Sequence, residues 1–351
     1  MTDPRTDPRT TLLPLGEVRE GPTPLASVAR LPKRVQPKPD YVELHARSAF
    51  SFLRGSSLPE ELAETAAAQG HSTFGLTDVA GVYGAPRFHY AARKVGLRAI
   101  VGAEVDVLGI GRLALLVEDV RGYQNLCRLL TLGHVPTEEA LRIRAASPLG
   151  APKQSRRKAS VIEKARCVIT PEQLTDFRQG WVAISTGKPA ELCAAADLLG
   201  TERLFAEIQR HKDPAEAREN LRRLDCARAR GIPIVAGNGV RHARPAGKPL
   251  FDALTCIRLG LTLDGAGRRL VKNAERHIRT PLEMSKLFSD LPEALKNTRC
   301  IAERCVYTLG DLDYKFPTPP LEYATSIDGE LWHRTLDGAR GRYGGPHLPD
   351  G

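Results

Sequence analysis

From residue 41 onward, short stretches in which apolar and polar residues alternate are interleaved with longer ones in which apolar residues recur every three or four positions. Alternation is the mark of strands, whose successive side chains face opposite sides; the longer period is that of helices with one buried face. Strands are predicted at 41 to 46, 73 to 77, 98 to 107, 112 to 117, 181 to 185, 203 to 208 and 232 to 236. Helices are predicted at 85 to 95, 122 to 132, 188 to 199 and 213 to 230. An earlier one is signalled by Ser57-Leu58-Pro59-Glu60, a Ser-x-x-Glu capping box with proline in the first turn, and stops at Gly70. A strand-then-helix rhythm repeated this often predicts an α/β fold with a largely parallel sheet, closed as a barrel or left open.

Three stretches depart from that rhythm. Residues 1–39 are rich in Pro, Thr and Arg, carry TDPR twice and show neither period, which reads as a disordered basic leader. Residues 134–170 form a polar, basic insertion containing Lys153, Arg156, Arg157 and Lys158, either a solvated loop or one that contacts the phosphates of DNA. Beyond 245 the pattern turns helix-rich, and at 326 to 343 Leu331, Trp332, Leu336, Ala339 and Tyr343 fall near one helical face. The expected organisation is therefore a leader at 1–39, an α/β domain at 40–245 and a helical connector at 246–351 that begins a further domain.

Composition narrows the setting. At 42% hydrophobic and 26% charged, the chain has enough apolar residues for a sizeable core, and no apolar run approaches the roughly 18 residues of a membrane span. The N-terminus lacks the basic-then-apolar layout of a signal peptide, so a cytoplasmic location with no membrane partner is expected. The seven cysteines are scattered and never in Cys-x-x-Cys spacing, which predicts reduced, mostly buried thiols rather than a zinc site. A net charge of +10 favours a polyanionic partner, nucleic acid above all.

Strand alternation also gathers candidate chemistry. Tyr41, Glu43, His45 and Arg47 share one face of the first strand; Gly102, Glu104 and Asp106 share one face of GAEVDV; Asp78 closes TFGLTD. C-terminal strand ends are where α/β folds build their sites, so His45, Arg47, Asp78 and Glu104 are expected to converge. The convergence reads either as a metal or phosphate site or as a buried polar network. Arginine has no lone pair to offer a metal, which sets Arg47 against the first reading.

YVELHARSAFSFLRGSSLPEELAETAAAQG and LTDVAGVYGAPRFHYAARKVGLRAIVGAEV resemble the opening of the PHP (polymerase and histidinol phosphatase) domain. More narrowly they are similar to the N-terminus of bacterial C-family DNA polymerases, the polymerase III alpha type. SFLRG and VYGAPRFH point to the error-prone branch. GYQNLCRLLT, FAEIQRH, IPIVAGNGVRHA and PLFDALTCIRLGLTL follow in family order, so the resemblance covers about 40 to 351.

The resemblance implies a PHP-type distorted β/α barrel with parallel strands, followed by a helical segment that begins the next domain. The family's metal site opens with His-x-His, kept here as His45 but replaced by Arg47; a following Asp falls at Arg54. The ligand His of Thr-Asp-His is Val79, beside Asp78, and a later His falls at Arg112. Asn-Asp-Val-His becomes Asn238-Gly239-Val240-Arg241, while the Glu of Gly-x-Glu persists as Glu104. His45 and Glu104 are thus vestigial ligand positions, too few for a multinuclear site, and no functional metal or cofactor is expected in this chain. His242 is out of phase with the lost ligand. Arg47, Arg54 and Arg112 are expected to replace metal charge by pairing with Asp78, Glu104 and Asp106.

Polymerase chemistry, with its magnesium ions, is implied to lie in a palm domain beyond residue 351, and Asp311-Leu312-Asp313 falls in the connector before it. The leading expectation is the non-catalytic PHP portion of an error-prone DNA polymerase, truncated before the palm. Its implied partners are DNA, the sliding clamp and other damage-tolerance proteins. The alternatives are a stand-alone PHP phosphoesterase and a non-enzymatic DNA-binding or partner-binding module.

Overall fold

The computed structural model describes residues 41–134, 167–311 and 320–344. Seven strands form one sheet: β1 (Thr73–Val79), β2 (Arg98–Val107), β3 (Gly111–Val117), β4 (Val168–Ile169), β5 (Trp181–Ser185), β6 (Leu204–Gln209) and β7 (Ile234–Gly237). The order is β1-β2-β3-β5-β6-β7, with β4 paired to β2. The pairs β1–β2, β5–β6 and β6–β7 are parallel and joined through the helices Ala85–Lys94, Pro189–Leu199 and Pro214–Arg230, as crossover geometry requires. β3 is the exception and runs antiparallel to both β2 and β5. Its cause is local: only residues 108–110 connect β2 to β3, enough for a hairpin and far too few for a crossover.

Residues 41–46, expected as a strand, are extended but touch the sheet only through isolated bridges, Glu43 with Phe74 and Ala46 with Val240. The segment serves both edges. The amides of Gly75 and Thr77 in β1 donate to the carbonyls of Glu43 and Ala46 at 2.8 Å each, and on the other side, beyond β7, the Arg47 amide donates to the Val240 carbonyl and the Val240 amide to the His45 carbonyl. Shared between two edges, it pairs too sparsely with either for a continuous ladder. It nevertheless curls β1 toward β7 and gives a distorted barrel.

The helices are α1 (Pro59–Ala68), α2 (Ala85–Lys94), α3 (Val120–His134), α4 (Pro171–Asp176), α5 (Pro189–Leu199) and α6 (Pro214–Arg230). They continue with α7 (Lys248–Leu259), α8 (Leu263–Ala266), α9 (Pro281–Leu287), α10 (Pro292–Arg304) and α11 (Ile327–Tyr343). α1 starts at the expected place by a different device. Leu58 is its N-cap without a side-chain bond, and the Ser57 hydroxyl instead accepts the Ala243 amide at 2.9 Å, so the capping box does not form. Pro59 and the acidic pair Glu60 and Glu61 favour the start in its place.

Alternation sorts the strands into two packed faces. Leu113, Leu115 and Val117 of β3 join Trp181 and Ala183 of β5 against Leu126 and Leu129 of α3 and Leu192 and Ala195 of α5. Ala114, Leu116, Val182 and Ile184 point the other way, onto Leu44, Phe205 and Val235, where Ile301 and Ala302 of α10 also pack. Arg98, the first residue of β2, donates to the carbonyls of Ala302 and Cys305 at 2.7 and 2.8 Å. α10 therefore closes the end where the strands begin and leaves the end where they finish for a site.

The leader and most of the basic insertion, including Lys153, Arg156, Arg157 and Lys158, lie outside the described residues. No helix among the described residues is long and apolar enough to cross a membrane. All seven cysteines are free; Cys167, Cys256 and Cys305 are buried, Cys127, Cys193 and Cys226 are partly covered and Cys300 is exposed, so burial is less general than their scatter implied. Leu331, Trp332 and Tyr343 of α11 are exposed.

Candidate functional site

The inner face at the C-terminal strand ends is built from charged groups in mutual contact. Glu104, in the second half of β2, and Glu207, in β6, are both buried, and His45 lies between them. The His45 Nδ1 lies 2.6 Å from Glu207 Oε2, and its Nε2 lies 2.9 Å from Glu104 Oε1. Burial opposes charge on the ring, but the carboxylates of Glu207 and Glu104 outweigh it and raise His45 to about 10. Both ring nitrogens are then donors in an imidazolium flanked by two acceptors.

Arg47, two residues on and on the same face, donates from Nε and Nη2 to the two oxygens of Glu104, a planar fork matching a planar carboxylate. Arg112 comes from β3, opposite Asp106 in the antiparallel register. Its Nε and Nη2 donate to Asp106 at 2.7 and 3.0 Å, and its Nε lies 3.8 Å from Glu104. Burial would raise the Glu104 carboxyl, yet Arg47 and His45 hold it far below the usual carboxylate range.

A second tier supports the first. Glu43 accepts the Tyr41 hydroxyl at 2.6 Å and the amides of His45 and Asn238 at 3.0 and 3.1 Å; burial nonetheless raises it to about 7. Gln209 donates to Glu207 at 2.9 Å and accepts from Arg276 at 2.9 Å.

Other positions singled out in the sequence fall differently. Asp78 is buried but takes no arginine: it accepts the Ser48 amide at 2.7 Å, the Ser48 hydroxyl and the Ser51 hydroxyl, so pairing with a guanidinium is corrected to a serine cage. Burial raises its pKa. Arg54 pairs with no carboxylate among the described residues, and its buried Nε has no hydrogen-bond partner. Val79 packs in the main core. Gly239 has φ +53°, and a Cβ there would meet the Gln209 amide, so an Asp cannot stand at that position without rearrangement. The Arg241 amide donates to the Arg276 carbonyl, while its Nη1 is buried without a partner. His242 is buried, its Nδ1 2.8 Å from the Arg244 carbonyl. Asp311 is exposed and caps a turn by accepting from Thr308 at 2.8 Å.

This donor set does not fit a hydrolytic metal centre. Both nitrogens of His45 face carboxylates, both oxygens of Glu104 are engaged by Arg47, and a guanidinium offers no lone pair. Among the described residues, no group of three or more His, Cys, Asp or Glu is placed to hold a metal ion. The members missed in the sequence are Glu207, Gln209 and Arg276. Alternation in FAEIQRH does put Glu207 and Gln209 on one face, but nothing local says that this face looks at His45.

The profile of the PHP domain matches residues 43–224. An error-prone DNA polymerase of Anaeromyxobacter dehalogenans is 37% identical over 289 residues, 81% of this chain and 24% of that protein. One from Burkholderia mallei is 32% identical over 331 residues, 89% of this chain and 29% of that protein. The chain thus spans about a quarter of the length of the curated relatives it matches. Among solved structures, an amidohydrolase from Chromobacterium violaceum aligns with TM-score 0.37 and 14% identity, over 57% of this chain and 88% of that one. The endonuclease PfuEndoQ of Pyrococcus furiosus aligns with TM-score 0.32 and 15% identity, over 57% and 48%; likenesses this slight carry no argument. The chain belongs to the PHP domain family.

Proposed function

We propose that this PHP-family chain is the N-terminal PHP portion of an error-prone DNA polymerase and acts there as a scaffold rather than a hydrolase. The observation that carries the reading is the engagement of Glu104 by Arg47 and His45, which sets fixed protein cations against the carboxylate kept from the family motif. A guanidinium and an imidazolium neutralise the cleft without an exchangeable ion and without an open coordination position for water. DNA synthesis in damage tolerance, its magnesium ions, contact with DNA and with a sliding clamp, and a cytoplasmic setting belong to this proposal for the longer protein. So does the division into a leader at 1–39, a PHP domain at 40–245 and a connector at 246–351, and so does DNA contact by the basic insertion.

Two measurements test it. The 351-residue chain, supplied with Mn2+ or Zn2+, is expected to leave a generic phosphate ester intact; hydrolysis abolished by His45→Ala would establish a phosphoesterase instead. The coding sequence after codon 351, in the same or a shifted frame, is expected to encode palm and fingers. Salt-sensitive DNA binding by this chain, lost on deleting 134–170, would favour a binding module.

A further inference from the structure

Three successive contacts set α5 and α6 in register, and the middle one brings two thiols together. In the middle of α6, Arg223 donates to the carbonyls of Thr186 and Gly187, just ahead of α5, at 2.6 and 2.9 Å. Two turns further along, Arg230 donates to Asp197 at 3.0 and 3.4 Å. Between them Cys226 donates to the Pro189 carbonyl at 3.5 Å, and its sulfur lies 3.0 Å from that of Cys193. Asp197 stands four residues after Cys193 and Arg230 four after Cys226, so the ion pair repeats the thiol pair one turn on. Anchored on both sides, the helices hold the sulfurs together by backbone placement rather than by the rotamer of one side chain.

Both cysteines are free and partly covered, within reach of a small oxidant but not displayed to a large one. Closing the gap from 3.0 Å to the roughly 2.05 Å of a sulfur–sulfur bond takes about 1 Å of movement. The two thiols differ in their surroundings. Arg230 also bonds the Cys193 sulfur, where a cation favours the thiolate, while burial and the Cys193 thiol beside it push Cys226 up to about 11. Cys193 is therefore the attacking sulfur and Cys226 the resolving one.

We propose that Cys193 and Cys226 are a reversible oxidation site whose disulfide latches α5 to α6. The oxidant is a small-molecule disulfide. The Cys193 thiolate attacks one of its sulfurs, forming a mixed disulfide and releasing one thiolate; Cys226, having given its proton to solvent, then attacks the Cys193 sulfur and expels the second. The two protein thiols are oxidised together, and the small disulfide is reduced to two thiols. The bridge spans 33 positions of sequence and encloses β6, the strand that carries Glu207 and Gln209. Oxidation thus ties down the helices on either side of the strand that gives His45 its second acceptor. The bridge asks nothing of the strand-end cleft, so it stands whether or not the scaffold reading does.

The test equilibrates the full chain in glutathione buffers of graded oxidised-to-reduced ratio, quenches it by alkylation for peptide mapping, and reads Tm on the same samples. The oxidised chain is expected to carry the 193–226 bridge and to unfold about 5 °C above the reduced chain, returning to the lower Tm with dithiothreitol. The equilibrium constant for bridge formation is expected to be about a hundredfold larger in the native chain than in the urea-unfolded one. Cys193→Ser and Cys226→Ser should each keep the Tm of the reduced chain and lose the oxidative shift. Absence of the bridge at every ratio, or a bridge no more favoured in the native chain than in the unfolded one, overturns the site. A bridge that leaves Tm unchanged or lowers it overturns the latch, and a shift that survives Cys193→Ser overturns the assignment to this pair.

Discussion

Arg47 and Glu104 sit 57 residues apart in sequence and meet as a two-point ion pair, Nε and Nη2 of the one on Oε1 and Oε2 of the other. Both are buried, and Glu104 also serves His45. Removing the carboxylate would leave a guanidinium and an imidazolium without it in a dry site. Glu104→Gln is therefore expected to cost about 3–5 kcal/mol, read as a lowered urea midpoint with an unchanged m-value.

His242 supplies a pH dependence of defined sign. Burial, opposed by its bond to the Arg244 carbonyl and reinforced by the charges of His277 and Lys248, lowers it from 6.5 to about 4. The unfolded chain then takes up the proton first as pH falls. Its contribution to stability is complete above pH 6.5 and is lost as pH drops to about 4. His242→Asn, whose amide can reach the same carbonyl, should lose less stability across that window; parallel denaturation profiles for the two proteins would refute it.

Arg223 ties α6 to the sheet. Its guanidinium donates to the carbonyls of Gly187 at 2.9 Å, Thr186 at 2.6 Å and Glu207 at 3.3 Å, and to the Asn220 side chain at 3.0 Å. Arg223→Ala would strip several acceptors at once and is expected to destabilise by about 2–4 kcal/mol, with a smaller loss for Arg223→Lys. Chemical denaturation measures both.

Cys193 of α5 and Cys226 of α6 bring their sulfurs within 3.0 Å, and Cys226 is pushed up to about 11 by burial and by its neighbour. A thiol held protonated reacts slowly. Oxidised glutathione in excess is expected to couple the two sulfurs to each other, releasing two reduced glutathiones, and faster above pH 8 than at pH 7. Peptide mapping should find the 193–226 bridge; a lasting mixed disulfide on either residue would contradict the pairing.

Much of the fold was legible because alternation and amphipathic period are local properties. β2, β5, α5 and α6 lie within a residue of where the pattern put them. Where competition between partners decided, local reading fell short. Ser57 has the residue type of a cap and instead holds Ala243; residues 41–46 have the pattern of a strand but are shared between two sheet edges.

The sequence by itself determined the family, the inward face of His45, Arg47, Glu104 and Asp106, and the replacement of ligand types by arginine, since each depends on residue identity and a two-residue period. Only the tertiary structure decided the partners. Glu207 became the second acceptor for His45 because the 41–47 segment bonds just beyond β7, whose sheet partner is β6, and Asp78 was turned to Ser48 and Ser51 instead of an arginine. Contacts between residues so far apart depend on the closure of the sheet, which no local period encodes.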